Sequence, residues 1–222
     1  MLTYFIIILL AYLIGSISPS IIISQLVKGV DIRTYGSGNA GMTNAMRLLG
    51  TKWGIIVALI DVAKGFCASW VIPHMLLDNS QLLIMDEILI RLSAGFSAVV
   101  GHIWTVFFRF KGGKGVLTMA GAGLGVAPAP VGICFGIFLI VLFTTRYVSL
   151  SSILAIVTFP FMVYILEWLT AEPASLYLKL FSFTLGVLII YTHRANIVRL
   201  WKGEERKVNF KKQPASVSSP DV

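Results

Sequence analysis

Charge is scarce in this chain. Only 13% of its 222 residues are Asp, Glu, Lys or Arg, against roughly 25% in a water-soluble domain, so water is excluded as the main solvent of its folded surface. Cysteine is scarcer still. Cys67 and Cys134 stand alone in separate apolar runs, which excludes a disulfide scaffold and the paired spacing of a zinc site and leaves them as packing residues. The acidic residues form no cluster, and the three histidines have no ligand-like spacing; no metal site and no cofactor are expected. The formal charge is +8, but the cations are not laid out as a stripe with interleaved aromatics, so nucleic acid is not an expected partner.

What the chain has in abundance is apolar sequence, 57% of its residues, at a mean hydropathy of +0.86. The runs recur at the length of a membrane span, about 20 residues. Runs fall at residues 4–27, 53–72, 88–108, 148–166 and 176–192. A further stretch, 115–145, is interrupted by Pro128-Ala129-Pro130, a turn signal that divides it into two helices, the first short. The expected fold is therefore an all-α polytopic membrane bundle of about seven transmembrane helices. The first run has no basic residue before it and Lys28 just after it, the reverse of a signal peptide, so it is read as a mature helix with its N-terminus outside. Seven spans then place 15 of the 18 Lys and Arg residues in inside segments, as the positive-inside rule requires, with the C-terminus cytoplasmic. Residues 1–202 read as one transmembrane domain and 203–222 as a disordered or headgroup-associated tail.

Three polar clusters map to the inside face. The first runs from Asp31 to Arg47 and contains GxGxxG, but no strand and helix flank it, so a dinucleotide fold is rejected. Its physical content survives. Gly36 and Gly38 let backbone N–H groups turn toward an anion, and Ser37, Asn39, Thr43 and Asn44 add polar groups before a helix start. A flexible polar loop is the competing reading. The second cluster is Gly101-His102 followed by Lys111-Gly112-Gly113-Lys114-Gly115 at the opening of a helix, where N–H donors, a helix dipole and cations coincide. It lacks P-loop spacing; a basic membrane anchor with flexible glycines is the alternative. The third cluster runs from His193 to Glu205, with His193, Asn196 and Ile197 on one helical face. Convergence of three such clusters on one side, with a surplus of cations, points to a built site for an anionic ligand. Charge-assisted hydrogen bonds of about 1.5–3 kcal/mol each from Arg47, Lys111 and Lys114 suffice to hold a phosphate without a metal. Asp61 and Lys64 lie three apart within a span, read as an ion pair shaping the floor of the site.

At these clusters the chain resembles the bacterial integral-membrane acyl-phosphate:glycerol-3-phosphate acyltransferases. The family pattern DIR-x-x-GSGN-x-GATN-x-x-R is matched from Asp31 to Arg47, with Met42 where Ala is usual. GH-x-x-P-x-F-x-x-FKGGKGVAT is matched from Gly101 to Thr118, with Thr105 for Pro and Leu117 for Ala. H-x-x-NI-x-RL-x-x-G-x-E is matched from His193 to Glu205 without exception. The resemblance implies a seven-helix membrane fold with the N-terminus outside and a site on the cytoplasmic side of the bacterial membrane. It implies acyl phosphate and glycerol-3-phosphate as substrates, lysophosphatidic acid and phosphate as products, and no obligate protein partner. It implies that Ser37, Arg47, Lys114, His193 and Asn196 are essential; Glu205 is assigned here to structural support of the third loop. A transporter for an organic phosphate and a non-enzymatic lipid-binding protein are the rival classes. The first lacks a visible inverted repeat, and the second leaves three polar clusters unexplained.

Overall fold

The computed structural model of the chain describes residues 1–77, 86–171 and 173–208. The part of the C-terminal tail beyond 208 lies outside the described residues. Every regular element described is helical: α1 (Leu2–Ser16), α2 (Pro19–Lys28), α3 (Met42–Leu49), α4 (Thr51–Phe66), α5 (Ile72–Leu76), α6 (Glu87–Ile103), α7 (Val116–Leu124), α8 (Pro128–Thr145), α9 (Val148–Thr170), α10 (Leu176–Thr192) and α11 (Arg194–Trp201), with short 3-10 turns and one π-helical segment between them.

Five stretches are long and apolar enough to cross a membrane: Leu2–Lys28, Thr51–Leu76, Glu87–Phe108, Pro128–Thr145 and Val148–Thr170. A sixth crossing is available if α10 and α11, bent by 62° at His193, count together. The count differs from the seven expected because α7, at nine residues, is only about 14 Å long, half a bilayer core. The division at Pro128 into a short and a long helix is as expected, and α8 starts with that proline at its first turn, where the missing N–H costs nothing.

The first apolar run is not one continuous helix. Ile17 and Ser18 are extended and Pro19 opens α2, because a proline N cannot continue the hydrogen-bond ladder of α1. The carbonyls freed at the break find partners on other helices. Thr105 Oγ1 donates to the Ser16 oxygen at 2.5 Å, and Lys64 Nζ donates to the Ile17 oxygen at 2.7 Å. A buried backbone acceptor without such a donor is costly.

Small residues bring the helices together, as expected where lipid removes the hydrophobic drive for association. A Cβ at Gly65 would collide with the Thr118 carbonyl, and one at Gly121 with the Val62 carbonyl, so α4 and α7 meet backbone to backbone. Ile7, Ala11, Ala94 and Ala98 pack α1 against α6.

Four segments gather at one end of the bundle. Arg33 donates to the Phe108 and Lys111 carbonyls at 2.9 and 3.0 Å, Lys114 donates to Asn196, and Val208 N–H donates to the Arg146 carbonyl at 2.9 Å. Helices α7 and α8 therefore run out from this end and back to it.

Candidate active site

The loop before α3 is held in shape from within. Asn44, 1% exposed, donates through Nδ2 to the carbonyls of Ile32, Tyr35 and Asn39 at 2.9–3.1 Å, and its Oδ1 accepts from Ser37 N–H at 3.1 Å. Its hydrogen-bonding capacity is used inside the loop, so it shapes the loop instead of offering a donor to a ligand. Gly36 sits at φ +61° with the Asn44 Oδ1 where a Cβ would be; only glycine fits there. Arg47 lies in the last turn of α3. Burial, then the neighbouring cations Arg206 and Arg199, press its pKa downward, and a guanidinium so placed stays charged.

The second loop is pinned to the end of α6. Gly112 N–H donates to the Ile103 carbonyl and Gly113 N–H to the His102 carbonyl, each at 3.0 Å. Those two N–H groups, expected to face an anion, are thus spent on capping α6, and Lys111, Gly112, Gly113 and Gly38 do not line the cavity described below. Glycine is needed at 113 because a Cβ would meet the His102 ring and the Ala40 carbonyl. What the loop delivers is Lys114, immediately before α7. Its pKa is lowered to about 8, first by burial and then by Arg199 and Arg47, against the opposing pull of Glu205.

The bend between α10 and α11 presents the third group. His193 Nδ1 lies 2.9 Å from the Ile189 carbonyl; a carbonyl only accepts, so Nδ1 carries the proton and Nε2 keeps its lone pair. Asn196, one turn on, accepts from Lys114 and donates to Glu205 Oε1 at 2.7 Å. Glu205 also accepts from Ser149 Oγ at 2.9 Å and Arg199 Nε at 2.7 Å. Burial alone would raise its carboxyl pKa, but these bonds from Arg199, Asn196 and Ser149 hold it below the usual range. One carboxylate thereby ties α9, α11 and the tail together.

The three loops enclose a cavity of about 270 Å³. Its polar lining includes Gly36, Ser37, Asn39, Thr43, Asn44, Arg47, Lys114, Gly115, His193, Asn196 and Glu205, and its apolar lining includes Phe138 and Val148 from the lipid-facing helices. Asp61 is at its floor, 2.8 Å from Lys64, both buried. Lys64 Nζ is also 2.8 Å from His102 Nδ1, and the ammonium can only donate, so that nitrogen accepts. Thr118 Oγ1 lies 3.1 Å from the same nitrogen. Among the described residues no three His, Cys, Asp or Glu side chains gather as metal ligands.

His102 and Arg199, placed within the polar clusters but given no site role from the sequence, and Ser149 and Arg206, not singled out there, also line the cavity. His102 and Arg199 stood inside the recognised patterns, so a signal existed. Ser149 in an apolar run and Arg206 in a basic tail carried none.

The sequence pattern described as Glycerol-3-phosphate acyltransferase matches residues 5–203. This chain belongs to that family. The glycerol-3-phosphate acyltransferase of Chlorobaculum tepidum is 45% identical over 230 residues, covering 95% of this chain and 98% of that protein, and that of Chlorobaculum parvum is equally similar. The fold matches the crystal structure of PlsY (YgiH), an integral membrane glycerol 3-phosphate acyltransferase, in its glycerol 3-phosphate form, with a TM-score of 0.79 at 35% identity over 93% of this chain and 96% of that one. The lysophosphatidic acid form gives 0.76. This member of the family is a multi-pass enzyme of the bacterial cytoplasmic membrane, and it transfers an acyl group to glycerol-3-phosphate to give lysophosphatidic acid.

Proposed function

We propose that the enzyme takes its acyl group from acyl phosphate and passes it to glycerol-3-phosphate in one direct step, with both substrates in the single cavity. The observation that carries this reading is the cavity's lining, which combines cations from separate segments, Arg47 of α3, Lys114 before α7 and Arg199 of α11, with the apolar side chains Phe138 and Val148 of lipid-facing helices. Two phosphates and an acyl tail need both.

Arg47 binds one phosphate through its planar fork, and Lys114 binds phosphate as a point charge at the start of α7, whose first N–H groups add to the field. Ser37, Gly36, Asn39 and Thr43 line the same cavity as hydrogen-bonding groups. The donor is a mixed anhydride and already activated, so catalysis consists of alignment, charge neutralisation and oxyanion stabilisation. The glycerol hydroxyl donates a hydrogen bond to His193 Nε2. Its oxygen attacks the acyl carbonyl, the new ester C–O bond forms, and the carbonyl–phosphate C–O bond breaks with its electron pair leaving on phosphate. The hydroxyl proton passes to Nε2 and from there to the departing phosphate. Asn196 orients Lys114, and Glu205 orients Asn196. No hydrogen bond joins Ser37 to His193 among the described residues, which favours Ser37 as a phosphate ligand over Ser37 as a nucleophile.

The proposed topology has seven crossings, with α7 and α8 as an out-and-back pair, the N-terminus outside, the C-terminus and the cavity on the cytoplasmic side, residues 1–202 as the membrane domain and 203–222 as its tail. The clustering of loops 28–52 and 109–115, Arg146 and residues 194–208 at one end supports it, since these hold most of the chain's cations. The direct test is lysophosphatidic acid formation by purified protein from palmitoyl phosphate and glycerol-3-phosphate, beside a flux assay in liposomes. Acyl transfer without flux is expected; flux of glycerol-3-phosphate without acyl transfer would overturn the reading in favour of a transporter.

A further inference from the structure

Helix α11 has two faces with different duties. Asn196, Arg199 and Leu200 face the bundle, while Arg194, Ile197, Val198 and Trp201, at the i, i+3, i+4, i+7 spacing of one helical stripe, are exposed. Trp201 is 90% exposed and Val198 53%. The helix leaves the axis of α10 at 62°, so where α10 crosses the bilayer α11 lies much closer to its plane. Its stripe continues the lipid-facing surface of α10, where Val187 and Tyr191 are also exposed. The apolar part of the stripe, Ile197, Val198 and Trp201, is bounded by exposed Arg194 and Lys202, and no carboxylate occurs between residues 194 and 202. An apolar stripe with an aromatic at one end and cations at both margins is the composition of a helix seated at the headgroup boundary of an anionic leaflet.

We infer that α11 docks through Ile197, Val198 and Trp201 on the anionic phospholipid surface of its own leaflet, and that this docking sets the azimuth of Asn196 and hence the placement of Lys114, making acyl transfer dependent on lipid charge. The coupling is short. Rotation of this eight-residue helix moves the stripe and the Lys114–Asn196–Glu205 chain together, because both are carried by the same backbone. Arg194, Trp201 and Lys202 do not line the cavity; they act as positioning residues through Asn196. The inference rests on the acyltransferase reading for its catalytic arm only.

The experiment uses the full chain in nanodiscs of phosphatidylcholine, alone or with roughly a third phosphatidylglycerol. In wild type, kcat/KM is expected to rise about fivefold or more with the anionic lipid, the size of effect of one basic residue held at a charged surface, and added salt removes the rise. Arg194→Gln with Lys202→Gln keeps the phosphatidylcholine rate and loses the response. The structural arm needs no activity: the fluorescence difference between wild type and Trp201→Phe is quenched by lipids brominated near the headgroup end. A Trp201 signal quenched instead by aqueous iodide, or shielded from both quenchers as by a second copy of the chain, overturns the docking. A wild-type rate indifferent to lipid charge, or a double variant that still responds, overturns the coupling. Absence of acyl transfer in every lipid counts against the acyltransferase reading, with the quenching arm still deciding the docking.

Discussion

Lys114 Nζ donates to Asn196 Oδ1 across 82 positions of sequence, and this bond joins the loop that opens α7 to the helix that follows α10. It holds the ammonium in a buried setting near Arg199 and Arg47, and burial first and then these cations bring its pKa down to about 8 against the opposing pull of Glu205.

The first prediction concerns pH. Burial favours the neutral amine, so the cation that binds phosphate is nearly complete a pH unit or more below its pKa of about 8 and is lost as pH rises through that value. The kcat/KM for glycerol-3-phosphate, which reports groups of the free enzyme, is expected to fall about tenfold per unit above that point. Lys114→Arg, whose group does not titrate there, keeps less activity overall but shows a flat alkaline limb. An unchanged alkaline limb in that variant would show that Lys114 is not the titrating group.

The planar fork of Arg47 is the second object of test. Arg47→Lys keeps the charge but loses bidentate geometry, so kcat/KM is expected to drop about 30-fold, about 2 kcal/mol of transition-state stabilisation. Steady-state kinetics measure it; a drop of less than about threefold means that Arg47 serves to anchor α3.

Lys64 holds Asp61 and the carbonyl of Ile17 at once. Lys64→Met leaves both without their donor, at a cost of about 3–5 kcal/mol, so the thermal midpoint in detergent is expected to fall by several degrees. Adding Asp61→Asn removes the uncompensated charge and recovers part of the loss. Equal midpoints in wild type and Lys64→Met would show that neither acceptor depends on the lysine.

Topology is testable at two exposed positions in a variant with Cys67 and Cys134 replaced by alanine. Pro173→Cys, between α9 and α10, is expected to react with an impermeant maleimide on intact cells with the outer membrane permeabilised. Glu204→Cys, beside the cavity loops, is expected to be protected until the inner membrane is opened. The opposite pattern reverses the proposed orientation.

The chain's fold class was legible because apolar runs of membrane length need no tertiary information. The break at Pro19 was less so: the run stays apolar through it, and the groups that make it affordable, Lys64 and Thr105, lie on helices distant in sequence. That α7 is short was legible from Pro128; which of its apolar residues face the bundle was not, since in sequence they look like lipid-facing ones. At the site, the polar clusters and the family patterns they match pointed to Ser37, Arg47, Lys114, His193 and Asn196, which the folded chain brings to one cavity. What spacing hid was the direction of N–H groups. Gly112 and Gly113 read as an anion cradle but cap α6, and Asn44 reads as a ligand contact but holds its own loop. Backbone orientation depends on the neighbour that accepts the bond, and that neighbour is not adjacent in sequence.

The chemistry proposed for the cavity is direct transfer within one ternary complex. Its most direct test is intact-protein mass spectrometry after mixing the enzyme with palmitoyl phosphate in the absence of glycerol-3-phosphate, read beside initial rates with both substrates varied. Unmodified protein and intersecting lines are predicted. Stoichiometric acylation of Ser37, discharged by glycerol-3-phosphate at the turnover rate and accompanied by parallel lines, would contradict it.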